Sequence, residues 1–259
     1  MRAILFDMDG VLYNSEEPMP GAAETLAWVR SCKIPHLFVT NTTSRGREAL
    51  AAKLARFGIP ASPSEIVTPC EAAADWLRSR RASNVALFLR PAARPAFEGL
   101  DLLPEDAESG ADYVVIGDLA SAWDFATLNR AFRLLHANPE AVLIALGMTR
   151  YWKAVDGISL DVAPFVAALE HATGRNALVL GKPAVEFFQA AADRLGVPNR
   201  KVLMVGDDID TDIAGAQLAG MQAALVRTGK FRELDLASPV KPDAVLDSVA
   251  ELPAWWARQ

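Results

Sequence analysis

The sequence predicts an α/β protein built on mainly parallel β-structure, and three observations carry that prediction. Short apolar runs alternate with longer amphipathic stretches from the first residues onward, the order expected of repeated strand–helix units. The last third of the chain returns to the pattern of the first third after a middle block of the same kind. At 259 residues and about 150 residues per domain, the chain is about 1.7 domains long, which is one large domain or two modest ones.

In order along the chain, Ala3 to Phe6 reads as a short buried strand, followed by Pro20-Gly21 and a helical stretch carrying Leu26 and Val29. His36 to Thr40 is the next strand. From Arg47, the positions Leu50, Leu54 and Phe57 repeat at helical spacing, and Gly58 is placed to end that helix. After Thr68-Pro69 come a helix around Trp76-Leu77, a strand from Val85 to Leu89, a Pro-rich turn and a strand from Asp112 to Ile116. A helix marked by Phe125, Leu128, Phe132 and Leu135 leads to a strand from Ala141 to Leu146. Thr149 to Asp161, rich in aromatic and charged residues, reads as a loop before a helix around Phe165 to Leu169. The last third gives a strand from Ala177 to Leu180 and a helix with Val185, Phe188, Ala192 and Leu195 on one face. A strand from Lys201 to Val205, a helix from Ala214 to Ala219 and strands at Ala223 to Val226 and Ala244 to Leu246 complete it.

Composition limits the function classes. The chain is 51% hydrophobic and 22% charged, which is globular and far from disordered composition. Lys and Arg number 26 against 32 Asp and Glu, a formal net charge of −6 with no run of five or six like charges, so nucleic acid is not the expected partner. The longest apolar run, Ala141 to Met148, is less than half of the roughly 20 residues that span a membrane. Asp7 and Asp9 interrupt the opening apolar stretch too early for a signal peptide, so a soluble, cytoplasmic protein is expected. Cys32 and Cys70 form neither a disulfide framework nor a zinc spacing, and two buried reduced thiols are expected. His36, His136 and His171 are scattered, with no helical pair to hold a metal.

Chemistry concentrates at predicted strand ends, where open α/β sheets bind ligands. Asp7-Met8-Asp9-Gly10 follows the first strand. Two carboxylates at i and i+2 with a glycine turn supply a nucleophile and an acid/base, or oxygens for a hard cation such as Mg²⁺. Taken alone, the segment is equally an acidic turn. An EF-hand is excluded, because its sixth-position glycine is Leu12 here. Thr40-Asn41-Thr42-Thr43-Ser44 follows the second strand and offers a hydroxyl, an amide and backbone N–H groups to phosphate oxygens, although Ser44 as a helix N-cap would explain part of it. Gly181-Lys182-Pro183 is not a nucleotide-binding P-loop, because Pro183 stands where Ser or Thr is needed; a solvated surface lysine is the alternative for Lys182. Gly206 to Asp212 places four carboxylates, Asp207, Asp208, Asp210 and Asp212, within six residues. By position, Asp210 and Asp212 read as a helix N-cap and a first-turn acid, which leaves Asp207 and Asp208 for a metal.

These four segments in this order resemble the haloacid dehalogenase (HAD) superfamily of aspartate-nucleophile phosphatases, whose motifs are DxDG, a hydroxyl-ending strand, a Lys and GDxxxTD. The chain is similar to class IIA, the 4-nitrophenyl phosphatase-like group with a large cap between the second and third motifs. Within it, the chain is most similar to the branch of the HAD-like hydrolase domain-containing proteins and phospholysine/phosphohistidine pyrophosphate phosphatases. The likeness covers nearly the whole chain, including Tyr151-Trp152-Lys153, Asp156-Gly157 and Gly181-Lys182-Pro183.

The resemblance implies a Rossmann-like core of residues 1–70 and 180–259, with a C2-type α/β cap at 71–179. It implies that Asp7 is the nucleophile, that Asp9 is the acid/base, and that Thr40 and Asn41 bind the phosphoryl group. Lys182 would offset the charge between that group and Asp7. Mg²⁺ would be held by the Asp7 carboxylate, the Asp9 carbonyl and Asp207, with Asp208 and Asp212 supporting it from behind. The acid two residues after the nucleophile favours a phosphatase over a dehalogenase. The expected substrate is a small phosphorylated metabolite, with pyrophosphatase or phosphoamidase action within range. A binding protein with little turnover and a phosphotransferase are the alternatives. An exposed cap face is the implied place for a homodimer contact. One departure from the family's pattern is Ala163, where Gly often precedes the Pro-Phe of the cap's last helix. Among the cap aromatics, Trp123, Phe125, Tyr151 and Trp152 are candidates for substrate contact, with core packing the better account of Phe125.

Overall fold

The structure, a computed structural model, describes residues 1–154 and 157–259, with residues 152–154 described by their backbone alone. Asp156 and the Trp152 side chain lie outside the described residues. The chain forms two compact units, Met1–Thr40 with Arg47–Val67 and Lys182–Gln259, and Asn41–Gly46 with Thr68–Gly181.

The first unit carries a six-stranded parallel sheet in the order Ala244–Leu246, Gln222–Val226, Val202–Gly206, Ala3–Asp7, His36–Val39, Ile66–Val67. Strands buried on both faces read as unbroken apolar runs, which is why Ala3–Asp7 and Val202–Gly206 are buried at every position. Their register pairs Phe6 with Val205, which brings the residues following each strand to the same sheet edge. From Ala3–Asp7 the chain moves outward to His36–Val39, and from Val202–Gly206 it moves outward in the opposite direction. The gap between those two strands is therefore the topological switch point, where such sheets bind ligands.

The helix Ala22–Ser31 buries Leu26 and Val29 in one apolar cluster with Ile4, Phe6 and Leu203. The helix Arg47–Arg56 adds Leu50 and Leu54 to it. Ser44 does not cap that helix, since it stands three residues ahead of Arg47. Cys32 corrects the expectation of two buried thiols: it is exposed just past the C-terminus of Ala22–Ser31, whereas Cys70 is buried. Its helix turns only one stripe inward, and the residue following its last turn is off that stripe.

The second unit has a four-stranded parallel sheet in the order Leu178–Val179, Val142–Ala145, Tyr113–Ile116, Val85–Phe88. Alternate strand residues serve opposite faces. Val85 and Leu87 pack with Cys70, Leu77 and Phe97, while Ala86 and Phe88 pack with Leu134, Leu135, Val166 and Leu169. Trp123 stacks between Phe88 and Phe165, at 6.0 and 4.7 Å between ring centres, and so belongs to this packing.

Phe125 departs from its expected core place and is 83% exposed. It opens the helix Phe125–Ala137, whose buried residues are Ala131, Leu134 and Leu135. A helical period identifies a face but not how far along it the neighbouring layer reaches: Phe125 and Ala126 are exposed, and packing against the core begins with the partly buried Leu128. Thr149 to Asp161, expected as a loop, instead contains the antiparallel strands Tyr151–Ala154 and Gly157–Leu160. Tyr151, Ile158 and Leu160, which share one face of this pair, are exposed, so that face carries apolar residues without burying them. Ala163 is buried inside the helix Val162–Thr173 with its N–H bonded to Thr149, so no glycine is needed there.

Burial pushes the Cys70 thiol up to about 12, and Cys32 is open to solvent. A thiol reagent at about pH 8 should therefore modify one equivalent in the native protein and two after denaturation. Two fast equivalents in the native state would contradict this packing.

Candidate active site

Asp7 ends its strand, and Asp207 and Asp208 follow the adjacent strand Val202–Gly206, so the switch point itself brings carboxylates together. Lys182 opens the last segment of the first unit, joined to Pro183 by a cis peptide. It is not a surface lysine. At 4% exposure its Nζ donates to Asp7 Oδ1 at 2.5 Å and to Asp212 Oδ1 at 2.6 Å.

The Asp212 Oδ2 accepts the backbone N–H groups of Asp207 and Asp208, each at 3.2 Å. This tie draws the turn tightly over Gly206, where a Cβ would lie 2.3 Å from the Asp212 Cβ. Asp208, not Asp210, caps the π-helical turn Ile209–Ala214: its Oδ1 accepts from the N–H groups of Asp210 and Thr211, each at 3.0 Å. Asp212 stands in the first turn, as expected, together with Asp210. Its side chain is 1% exposed and turned inward to Lys182, away from the solvent that a first-turn acid faces.

Asp7, Asp207 and Asp212 each present a carboxylate oxygen within 4.8 Å of the others, and all three residues are buried. Asp207 Oδ2 accepts the Lys230 N–H at 2.6 Å, while its Oδ1 is buried with no hydrogen-bond partner among the described residues. Burial, reinforced by the charges of Asp7 and Asp212, pushes the Asp207 carboxyl up to about 8. Burial also pushes Asp212 up to about 6, with Lys182 opposing and Asp7 adding to the rise. For Lys182, burial would favour the neutral amine, but the charges of Asp212 and Asp7 prevail and hold it above the ordinary lysine range. Burial would likewise raise Asp208, and the Thr211 N–H and the Lys230 charge outweigh it, leaving Asp208 below the usual carboxylate range.

The remaining residues singled out from sequence lie around this cluster or apart from it. Asp9 is exposed, and its Oδ1 accepts the Ser15 N–H at 3.2 Å. Thr40 is buried after its strand, with its N–H bonded to the Val67 carbonyl at 3.2 Å, and Asn41 begins the second unit. Thr228, Gly229 and Lys230 were not among the sequence candidates, although they follow the parallel strand Gln222–Val226. The strand-end rule that found the other segments would have found this one.

An all-oxygen donor set with an orphaned, buried carboxylate oxygen suits a hard divalent cation, which needs oxygen ligands and would relieve the repulsion raising Asp207. Both oxygens of Asp212 are already engaged, which leaves Asp7 and Asp207 as the side chains free to hold it. Beside them, Lys182 is fixed as a buried cation next to Asp7, an arrangement able to direct a carboxylate at an anionic group.

Comparison with known proteins agrees with this anatomy. The model of the haloacid dehalogenase-like hydrolases matches residues 4–102, and that of the HAD-hydrolase-like proteins matches residues 179–252. The chain is 37% identical over 256 residues to the Homo sapiens phospholysine phosphohistidine inorganic pyrophosphate phosphatase, covering 97% of this chain and 92% of that protein. It is 37% identical over 235 residues to the Bos taurus haloacid dehalogenase-like hydrolase domain-containing protein 2, covering 91% of this chain and 87% of that one. The crystal structure of 4-nitrophenylphosphatase from Thermotoga maritima superposes with a TM-score of 0.88 at 28% identity, over 98% of this chain and 97% of that one. With a Rossmann-like core, an inserted α/β cap and relatives that match over almost its full length, the chain belongs to the haloacid dehalogenase-like hydrolases.

Proposed function

We propose that the protein is a Mg²⁺-dependent phosphatase that hydrolyses a small phosphorylated metabolite through an aspartyl-phosphate on Asp7. The observation that carries this reading is the pairing of Asp7 with Lys182 inside a buried carboxylate cluster that keeps one Asp207 oxygen unpartnered. The core in this reading is residues 1–70 and 180–259, and residues 71–179 are the cap.

Phosphoryl transfer depends on positioning and charge neutralisation. Asp7 attacks phosphorus through one carboxylate oxygen as the bond to the leaving oxygen breaks, and Asp9 protonates that oxygen. Asp9, then ionised, takes a proton from water, whose oxygen attacks the phosphoryl group and releases phosphate and the Asp7 carboxylate. Lys182 stays charged throughout and lowers the repulsion between Asp7 and the incoming anion. Thr40 and Asn41 hydrogen-bond the transferring group. Asp7, Asp207 and the Asp9 carbonyl would hold Mg²⁺, which supplies charge neutralisation at the phosphoryl oxygens. Asp212 and Asp208 act from behind, by fixing Lys182 and the turn that carries Asp207. Asp9 now bonds to Ser15, so this role requires its side chain to turn from that N–H toward the leaving group.

For the substrate, the names of the relatives point to bonds of phosphorus to oxygen and to nitrogen: inorganic pyrophosphate, phospholysine and phosphohistidine, and a nitrophenyl ester. We propose that this chain acts within that range. A panel of such compounds, scored by Mg²⁺-dependent phosphate release, should give turnover on at least one. Tight binding without release from any would favour a binding protein.

Asp7→Asn should lower hydrolysis of an aryl phosphate by about a thousandfold or more while leaving the fold intact by circular dichroism. Retained turnover would exclude Asp7 as nucleophile. Mg²⁺ at about 100 times its Kd should stabilise the protein by about 2.7 kcal/mol in thermal unfolding. Asp207→Asn should abolish that gain yet leave the metal-free protein at least as stable, because it removes a buried charge from a repulsive cluster. A full Mg²⁺ response in that variant would remove Asp207 from the metal site.

A further inference from the structure

A second set of contacts surrounds Asp207, outside the residues given roles so far. Gly10, with φ +89°, and Gly229, with φ +62°, face each other across its carboxylate. A Cβ on either glycine would lie 2.0 Å from Asp207 Oδ2, and one on Gly229 would lie 2.5 Å from the Gly10 Cα. Both backbones adopt the left-handed conformation that glycine permits, and the absence of side chains lets the two loops close directly over that oxygen. Thr228 Oγ1 donates to the Gly10 carbonyl at 2.5 Å, joining the loop after Gln222–Val226 to the loop that follows Asp7 and carries Asp9. One residue past the glycine, the Lys230 N–H donates to Asp207 Oδ2, and the Lys230 Nζ lies 3.4 Å from Asp208 Oδ2.

We propose that Thr228-Gly229-Lys230 is a positioning clamp that divides the two oxygens of Asp207, engaging Oδ2 so that Oδ1 alone is presented to the cation. The inference rests on the reading of Asp207 as a metal ligand. Its physical content is that a carboxylate free to rotate offers either oxygen or both, and loses orientation each time it binds. A carboxylate with one oxygen tied to backbone N–H and closed over by two glycines offers one oxygen in one direction. Groups that orient metal ligands from behind commonly govern affinity by about 10- to 100-fold when removed.

Thr228 is the residue through which the clamp is anchored, and its hydroxyl is the group to remove. Thr228→Val keeps the shape and deletes the donor, and it should weaken Mg²⁺ binding about tenfold or more by isothermal titration with the metal alone. Activity should show the same split: a raised Mg²⁺ requirement with kcat at saturating Mg²⁺ within about threefold of the wild type, and Thr228→Ser should restore both. Lys230→Ala keeps the backbone N–H that touches Asp207 and should leave Mg²⁺ affinity within about threefold. Wild-type affinity in Thr228→Val would overturn the clamp, as would a tenfold loss in Lys230→Ala, which would assign the effect to side-chain charge. A loss in Thr228→Val that Thr228→Ser does not repair would also overturn it. Asp207→Asn, titrated in parallel, separates the two levels of the argument. If it binds Mg²⁺ like the wild type, the metal-ligand reading itself falls; if it loses the metal while Thr228→Val does not, only the clamp falls.

Discussion

Three carboxylates, those of Asp7, Asp207 and Asp212, are held out of water within 4.8 Å of one another, with the single buried ammonium of Lys182 bonded to two of them. Two unit charges at that distance repel by about 3 kcal/mol at an effective dielectric constant near 20, so one cation among three anions leaves the cluster unbalanced. The imbalance is visible where it falls, on Asp207, whose carboxyl is pushed up and whose Oδ1 has no hydrogen-bond partner among the described residues. A fold tolerates such a cluster only because its backbone prevents the charges from relaxing into solvent. The same unrelieved charge is what makes the site receptive to a divalent cation.

That constraint explains much of the surrounding architecture. The parallel strands Ala3–Asp7 and Val202–Gly206 lie side by side, and their carboxyl ends carry Asp7 and Asp207 to the switch point. Fully buried strands on either side, with Phe6 and Val205 in register, give the two aspartates a rigid base. Asp212 ties its own turn back to the N–H groups of Asp207 and Asp208, and Asp208 caps the π-helical turn that follows. Each of these acids thus has a structural partner: Lys182, shared by Asp7 and Asp212, backbone N–H groups for Asp208, and the Lys230 N–H for one oxygen of Asp207.

Most strands and helices were legible along the chain because buried parallel strands leave continuous apolar runs, as Val202 to Val205 does, and the helices between them leave a 3.6-residue stripe; the two-residue edge strand Ile66–Val67 is too short to leave such a run. Phe125 and the strands Tyr151–Ala154 and Gly157–Leu160 were not. Phe125 at the start of its helix continues the apolar period while 83% exposed, and the strand face that carries Tyr151, Ile158 and Leu160 is apolar yet exposed, so apolar type and burial part company at both places. Cys32 was misjudged on residue type alone, since thiols are commonly buried but a residue beyond a helix end obeys its position, not its type.

By itself the sequence determined the α/β class and the acids Asp7, Asp9, Asp207, Asp208 and Asp212 at strand ends, because strand periodicity and local residue spacing are encoded within a few residues of each other. Tertiary structure alone decided which acids meet and what each one does. Lys182, plausible as a surface lysine, is buried between Asp7 and Asp212, the latter 30 residues away and the former 175. Asp208 took the cap that local position had assigned to Asp210, and Asp212, in the first turn as expected, became an inward anchor for Lys182. Gly10 and Gly229 close over Asp207 from two loops that have no common signature in the chain, joined by the bond from Thr228 to the Gly10 carbonyl 218 residues away. Contacts of this kind are set by where parallel strands end in space, a distance that linear spacing does not carry.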